Sequence, residues 1–261
     1  MTEMWRRLTR ELDHWAPGQA TFWWRDDDAV EVTPALERLL GLGPQPLGLA
    51  VIPAGMRPDL AAFLAARSVD VLQHGYAHRN HEPPEAKKAE LGGARPLALV
   101  REELARGAEL LAAAFGSKAL PVLVPPWNRI ANPLIDLLGA EGYRGLSTYG
   151  PQPPAPTVSP PASGQRGILR VNTHVDIVDW RARGFIGLDT AIDRIVGHLA
   201  ARRQGRAAAD EPTGLLTHHL AMGDAAFDFT AEFLARTAEH PAVQWRSARD
   251  IFARGTGFAA A

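Results

Sequence analysis

Short apolar runs alternate along the chain with longer stretches in which apolar positions recur every three or four residues. The runs at 20–25 (ATFWWR), 47–52 (LGLAVI), 69–73 (VDVLQ), 121–124 (PVLV), 144–148 (RGLST), 168–171 (ILRV), 214–218 (GLLTH) and 242–245 (AVQW) read as strands. Helical patterns lie between them. Thr33 caps a helix that opens on Pro34 and continues through Leu36, Leu39 and Leu40. Further helices are expected at 58–67, 96–115 and 131–140, from Asp189 and Thr190 through Ile192, Ile195, Val196 and Leu199, and near 226–239 and 247–254. At the N-terminus Trp5, Leu8, Leu12 and Trp15 form one stripe, so a helix is expected within residues 1–18. Strand and helix in strict alternation imply parallel βα units. Seven or eight such units favour an α/β fold closed, or nearly closed, into a barrel.

Two stretches break the rhythm: 79–95 (RNHEPPEAKKAELGGAR), charged and Pro/Gly-rich, and 150–166 (GPQPPAPTVSPPASGQR), Pro/Ser-rich. Each is long for a compact domain, and each is expected to be mobile or to rim a site. No linker or repeat divides the 261 residues, so one domain with a core over about 19–255 is expected.

Composition narrows the chemistry. Lys and Arg (28) nearly balance Asp and Glu (29), and Arg202, Arg203 and Arg206 read as a solvated helix end. Nucleic acid and anionic membranes are therefore poor partners. The 46% hydrophobic content is that of a globular chain. With no cysteine, any metal must be held by His, Asp or Glu. The N-terminus has no secretory pattern and no apolar run spans a membrane, so a cytoplasmic location is expected.

In a parallel βα barrel the catalytic groups gather at the carboxyl ends of the strands. Asp26, Asp27 and Asp28 follow the first predicted strand, and His74 and His78 the third. Pro125, Pro126, Trp127 and Asn128 follow the fourth, Asp176, Asp179 and Trp180 the sixth, and His218 and His219 end the seventh. His74 and His78, four apart, are expected to stand on the same side of one helical turn. Two imidazoles, a carboxylate and a water complete a catalytic zinc shell, although His-x-x-x-His also arises by accident. Adjacent carboxylates repel one another unless a cation or a base role compensates. The bland alternatives are a polar loop for the histidines, a solvated turn for the aspartates, and a buried structural histidine at 218 or 219.

These residues, in this order, resemble the polysaccharide deacetylase (NodB-homology) family. Asp27-Asp28-Ala29 is similar to its Asp-Asp-Gly motif, and His74-Gly75-Tyr76-Ala77-His78 to its His-Ser/Thr-x-x-His motif without the hydroxyl. Val124-Pro125-Pro126-Trp127-Asn128 resembles its Arg-x-Pro-aromatic-Gly segment without the arginine. Asp176-Ile177-Val178-Asp179-Trp180 keeps Asp-x-x-Asp-Trp, and Leu216-Thr217-His218 keeps Leu-x-His. The resemblance implies a distorted (β/α) barrel, one divalent metal (usually zinc) and hydrolysis of an N-acetyl group from an amino sugar or another N-acylated small molecule. It makes Asp27 the base, Asp28, His74 and His78 the metal ligands, and His218 the acid, oriented and charged by Asp176 or Asp179. It places Pro126, Trp127, Asn128 and Trp180 along the substrate, with His219 beside them and the Trp127 backbone N–H facing the oxyanion. Asp26-Asp27 is the alternative register; Ala29 in the glycine's place favours Asp27-Asp28. Arg25, on the same strand face as Asp27, is expected to supply the charge of the missing arginine.

Two rival readings remain. Two histidines and a carboxylate also suit non-haem iron. A degenerate deacetylase fold could bind glycans through Trp23, Trp24, Trp127 and Trp180 without catalysis.

Overall fold

A computed structural model describes residues 2–152 and 167–253. Residues 153–166 of the predicted Pro/Ser-rich loop, and position 254 of the last predicted helix, lie outside the described residues.

The sheet is built on β1 (Ala20–Ala29). On one side β1 pairs with β2 (Leu47–Val51), then β3 (Val69–His74), β4 (Ala119–Val124), β5 (Gly145–Leu146) and β6 (Leu169–Arg170). On the other it pairs with β10 (Thr213–Thr217), which pairs with β7 (Val175–Asp176), and β11 (Val243–Trp245) joins the start of β1. All these ladders are parallel. A separate antiparallel pair, β8 (Val178–Asp179) and β9 (Gly184–Phe185), stands beside them.

The edge strands β6 and β7 are consecutive in sequence, and the segment between them closes the seam. Val171 N and Thr173 N donate to Leu146 O and Thr148 O on one side, while His174 N donates to Gly214 O on the other. The result is a distorted (β/α) barrel, with a single irregular segment bonded to both edges where a regular strand would stand.

Helices α1 (Glu3–Leu12), α2 (Pro34–Leu40), α3 (Asp59–Leu64), α4 (Leu97–Phe115), α5 (Asn132–Ile135), α6 (Leu188–Arg203) and α7 (Asp224–Ala238) accompany the sheet. The short α8 (Ala248–Ala253) adds Ala248, Ile251 and Phe252 to the apolar cluster within the barrel. The pleat sorts the side chains. Phe22 and Trp24 of β1 join the core shared with α1, α2, α3, α6 and α7, while Trp23 joins Ala50, Leu72, Val122 and Phe252 inside the barrel. Trp23 and Trp24 are thus core residues, at 0% and 2% exposure, and neither can bind a glycan.

Several boundaries differ from expectation. β1 runs four residues past Arg25 because the ladders to β10 and β2 continue through the aspartates. The expected helix at 131–140 shortens to four residues followed by turns. The pieces at 175–176, 178–179 and 184–185 were not expected, since two-residue strands carry no readable period. Arg202 is not solvated: it is 2% exposed and donates to Thr21, Thr213 and Ala209. Among the described residues no helix is long and apolar enough to cross a membrane.

Candidate active site

Alternation along β1 directs Arg25 and Asp27 to the same face as Trp23, into the barrel. Asp26 points the other way. Its carboxylate accepts from the Thr217 hydroxyl (2.7 Å), from His219 N (3.0 Å) and from His219 Nδ1 (2.5 Å). Strict alternation would also turn Asp28 away from Asp27. It does not, because the β1–β2 register shifts between Asp26 and Ala29 and Asp28 takes φ 75. Asp tolerates this left-handed conformation better than most residues. The bulge lets two consecutive carboxylates face one cavity.

Opposite lies the segment after β3. The expected helical turn is absent: His74 is the last residue of the strand, and Gly75 (φ 56) and His78 (φ 52) turn the chain back on itself. A Cβ on Gly75 would stand 2.0 Å from Glu90 Oε2 and 2.7 Å from Pro126, so only glycine fits. Glu90, 1% exposed, accepts from Tyr76 N (3.0 Å) and Ala77 N (2.7 Å), fixing the loop that carries His78. Nothing in the sequence marks Glu90 apart from its neighbours in the irregular stretch, because its partners are backbone amides.

The three groups converge. Asp28 Oδ1 is 3.1 Å from His74 Nε2 and 3.2 Å from His78 Nε2. Ligands about 2.05 Å from a tetrahedral zinc stand about 3.3 Å apart, so these separations suit one ion. His74 Nδ1 lies 2.9 Å from the Val124 carbonyl, which can only accept, so Nδ1 carries a proton. Nε2 of the neutral ring then presents a lone pair to a carboxylate oxygen. A cation, either a metal ion or a second proton, must lie between them. Burial raises the Asp28 carboxyl, but the His74 hydrogen bond and the charges of His74, His218 and His78 outweigh it and hold Asp28 well below the carboxylate range. Burial lowers His74, but its bond to Asp28 and the charges of Asp27 and Asp28 reverse the sign and raise it.

A second cluster, His174, His198 and Glu211, also brings three donor groups together, all buried. Here the tautomer opposes a metal. Gly214 N donates to His174 Nδ1 (2.9 Å), so Nε2 must carry the proton, with Glu211 Oε2 3.3 Å away. The cluster is read as structural.

Arg25 lies directly against Asp27. Its Nε is 2.8 Å from Asp27 Oδ1 and its Nη2 2.9 Å from Asp27 Oδ2. Its remaining donors reach Ser147 Oγ (2.6 Å), Ser147 O (3.1 Å) and Asn128 Oδ1 (2.7 Å). Asn128, expected only along the substrate, also buttresses this arginine. Trp127 and Asn128 both have positive φ (56 and 55), and the Asn128 and Arg129 N–H groups bond back to Pro125 and Pro126. The Trp127 N–H enters none of the backbone bonds among the described residues.

His218 stands between two carboxylates, with Nε2 3.9 Å from Asp27 and Nδ1 3.8 Å from Asp176. Asp176 accepts from Trp180 Nε1 (2.8 Å) and Val178 N (3.0 Å), and the Trp180 ring meets His218 edge-on at 4.7 Å. Asp179, expected as an alternative partner, faces away and caps a turn by accepting from Arg181 N and Ala182 N. His219 is likewise corrected: at 1% exposure, against Asp26, it lies outside the cavity that Asp27, Asp28 and His218 line, and Pro126 is buried beneath Gly75.

The cavity of about 520 Å³ over this cluster is lined by Asp27, Asp28, His74, His78, Asp176 and His218, with Trp127, Tyr149 and Trp180 beside them. Trp180 (55% exposed) and Tyr149 (41%) present open aromatic faces. Tyr149 belongs to no motif that would mark it in the sequence.

No protein-family profile matches the chain, and none of the curated proteins does. Solved structures do. A Mycobacterium smegmatis protein assigned as a polysaccharide deacetylase superposes with TM-score 0.65 at 18% identity, over 92% of each chain. A family 4 carbohydrate esterase from Bacillus anthracis gives 0.54 at 13%, over 96% of this chain and 92% of its own. A family 4 acetyl xylan esterase from Clostridium thermocellum, in complex with a cobalt ion, gives 0.51 at 10%, over 90% and 91%. The chain has the fold of the NodB-type polysaccharide deacetylases and family 4 carbohydrate esterases.

Proposed function

We propose that the protein is a metal-dependent hydrolase that removes an N-acetyl, or related acyl, group from a carbohydrate or small amino-sugar substrate. The observation that carries this reading is the meeting of Asp28, His74 and His78 around one point beside the Arg25–Asp27 pair and His218. Asp28, His74 and His78 would hold one divalent ion, zinc by donor type, and that ion supplies a Lewis acid and an acidified water.

The chain's own residues do the rest. Asp27, oriented by Arg25, takes the proton of the attacking water as the water oxygen bonds to the acyl carbon. The Trp127 N–H, which enters no backbone bond among the described residues, is placed to meet the developing oxyanion. His218, paired through Nδ1 with Asp176, gives its proton to the departing nitrogen as the C–N bond breaks. An amide nitrogen is too basic to leave as an anion, so this donation is required. Trp127, Tyr149 and Trp180 offer apolar faces suited to sugar rings.

The test is acetate release from a panel of N-acetylated mono- and oligosaccharides by zinc-loaded protein, with Asp27→Asn alongside. Release lost in the variant supports the reading. Loaded protein that binds these sugars yet frees no acetate would overturn it in favour of a glycan-binding module.

A further inference from the structure

A second cavity, of about 450 Å³, adjoins the first and shares Asn128 and Arg129 with it as common wall. Its lining includes Arg129, Arg170, Thr148, Gln152 and Asn172, and no carboxylate among the described residues. The polar groups differ in what they have left to offer. The Asn172 amide is committed: its oxygen accepts from Thr148 N and Oγ1, and its nitrogen donates to Gly150 O. The Gln152 side chain donates to Arg170 O and to Glu211, whose carboxylate also accepts from the Asn172 and Gln152 backbone N–H groups. The two guanidinium groups remain. Arg129 spends one nitrogen on the Lys88 carbonyl, and neither arginine has a carboxylate within 4 Å among the described residues. Arg170 Nε is shielded from solvent and has no hydrogen-bond partner among the described residues.

A shielded, unpartnered guanidinium N–H is costly, and its natural complement is an anionic oxygen. We propose that this cavity is a subsite for an acidic substituent, a carboxylate or a phosphate, carried by the substrate on or beside the sugar that bears the N-acyl group. Arg170 is its main anchor. Arg129, on the shared wall, links that anchor to the reacting centre. The inference rests on the deacylase reading for the orientation of the substrate, and it narrows the substrate class from amino sugars in general to acidic ones.

The experiment is calorimetric binding to the full chain in an Asp27→Asn background, which stops turnover, at low salt. N,N′-diacetylchitobiose is compared with the disaccharide of N-acetylglucosamine and N-acetylmuramic acid, which adds one carboxylate. N-acetylglucosamine is compared with its 1-phosphate. At least one acidic ligand is expected to bind about tenfold more tightly than its neutral counterpart, and the pair that shows it identifies the anion. Arg170→Gln, with Arg129→Gln as a second variant should the first fail to fold, is expected to abolish that advantage. Equal affinity for neutral and acidic ligands in both pairs, or an advantage that survives both substitutions, overturns the proposal. Acetate release by the unsubstituted chain is scored separately. An Arg170-dependent preference without acetate release from any ligand upholds the subsite and removes the deacylase reading instead.

Discussion

Arg25 and Asp27, two residues apart on one strand, form a two-point ion pair, with Nε–Oδ1 at 2.8 Å and Nη2–Oδ2 at 2.9 Å, both side chains essentially without exposure. Replacing Arg25 by Ala leaves a buried carboxylate uncompensated, which costs about 3–5 kcal/mol of stability. Arg25→Lys retains a charge but not the planar fork. We expect it to fold with a lowered Tm and to lose acetate release by roughly 10²-fold, the scale of a misplaced base. Thermal unfolding and kcat/KM measured on the same preparations decide it; wild-type activity in Arg25→Lys refutes the role.

Metal content tests the three-ligand cluster directly. One ion per chain is expected by elemental analysis, with Asp28→Ala, His74→Ala and His78→Ala each reducing it below about a tenth. A full complement in any of these variants means that the ion sits elsewhere.

Glu90 is expected to matter without touching the ion. Glu90→Gln weakens the bonds that hold Tyr76 N and Ala77 N, and with them the position of His78. Metal affinity should fall about 10–100-fold, the usual effect of removing an outer partner of a metal ligand. Competition with a chromogenic chelator measures it, and unchanged affinity would show the loop to be held by other means.

Asp176 and Asp179 belong to one motif yet are expected to behave differently. Asp176→Asn removes the charge beside His218 Nδ1, and kcat should fall by about 10²-fold. Asp179→Asn alters an exposed turn and should stay within about twofold of wild type, with stability changed by less than about 1 kcal/mol. Equal losses in the two variants contradict the assignment.

His198 should make the fold acid-sensitive. Burial, then the charges of His174 and Arg202, depress it from 6.5 to about 2. The unfolded chain therefore binds a proton that the folded chain refuses between these values. Stability is full above about pH 6.5 and declines as pH falls, by roughly 2 kcal/mol at pH 5 from this residue. Urea unfolding at several pH values should show His198→Gln with a shallower acid slope by about one proton; an identical slope rules the effect out.

What the amino-acid order determined by itself is the βα alternation and the chemical identity of the site. Apolar periodicity survives any packing, and the residue types in Asp27-Asp28, His74-x-x-x-His78 and Leu216-Thr217-His218 limit the chemistry open to them. The pleat even foretold that Arg25 and Asp27 would share a face. Only tertiary structure decided how Asp28 joins them, since a bulge with φ 75 follows from pairing to β2 and leaves no local mark. It also decided that Asp176 rather than Asp179 attends His218, that His219 is sealed against Asp26, and that Glu90 and Tyr149 belong to the site. Each of these depends on which strand lies next to which. That is set by long-range burial and hydrogen bonding, and no window of neighbouring residues records it.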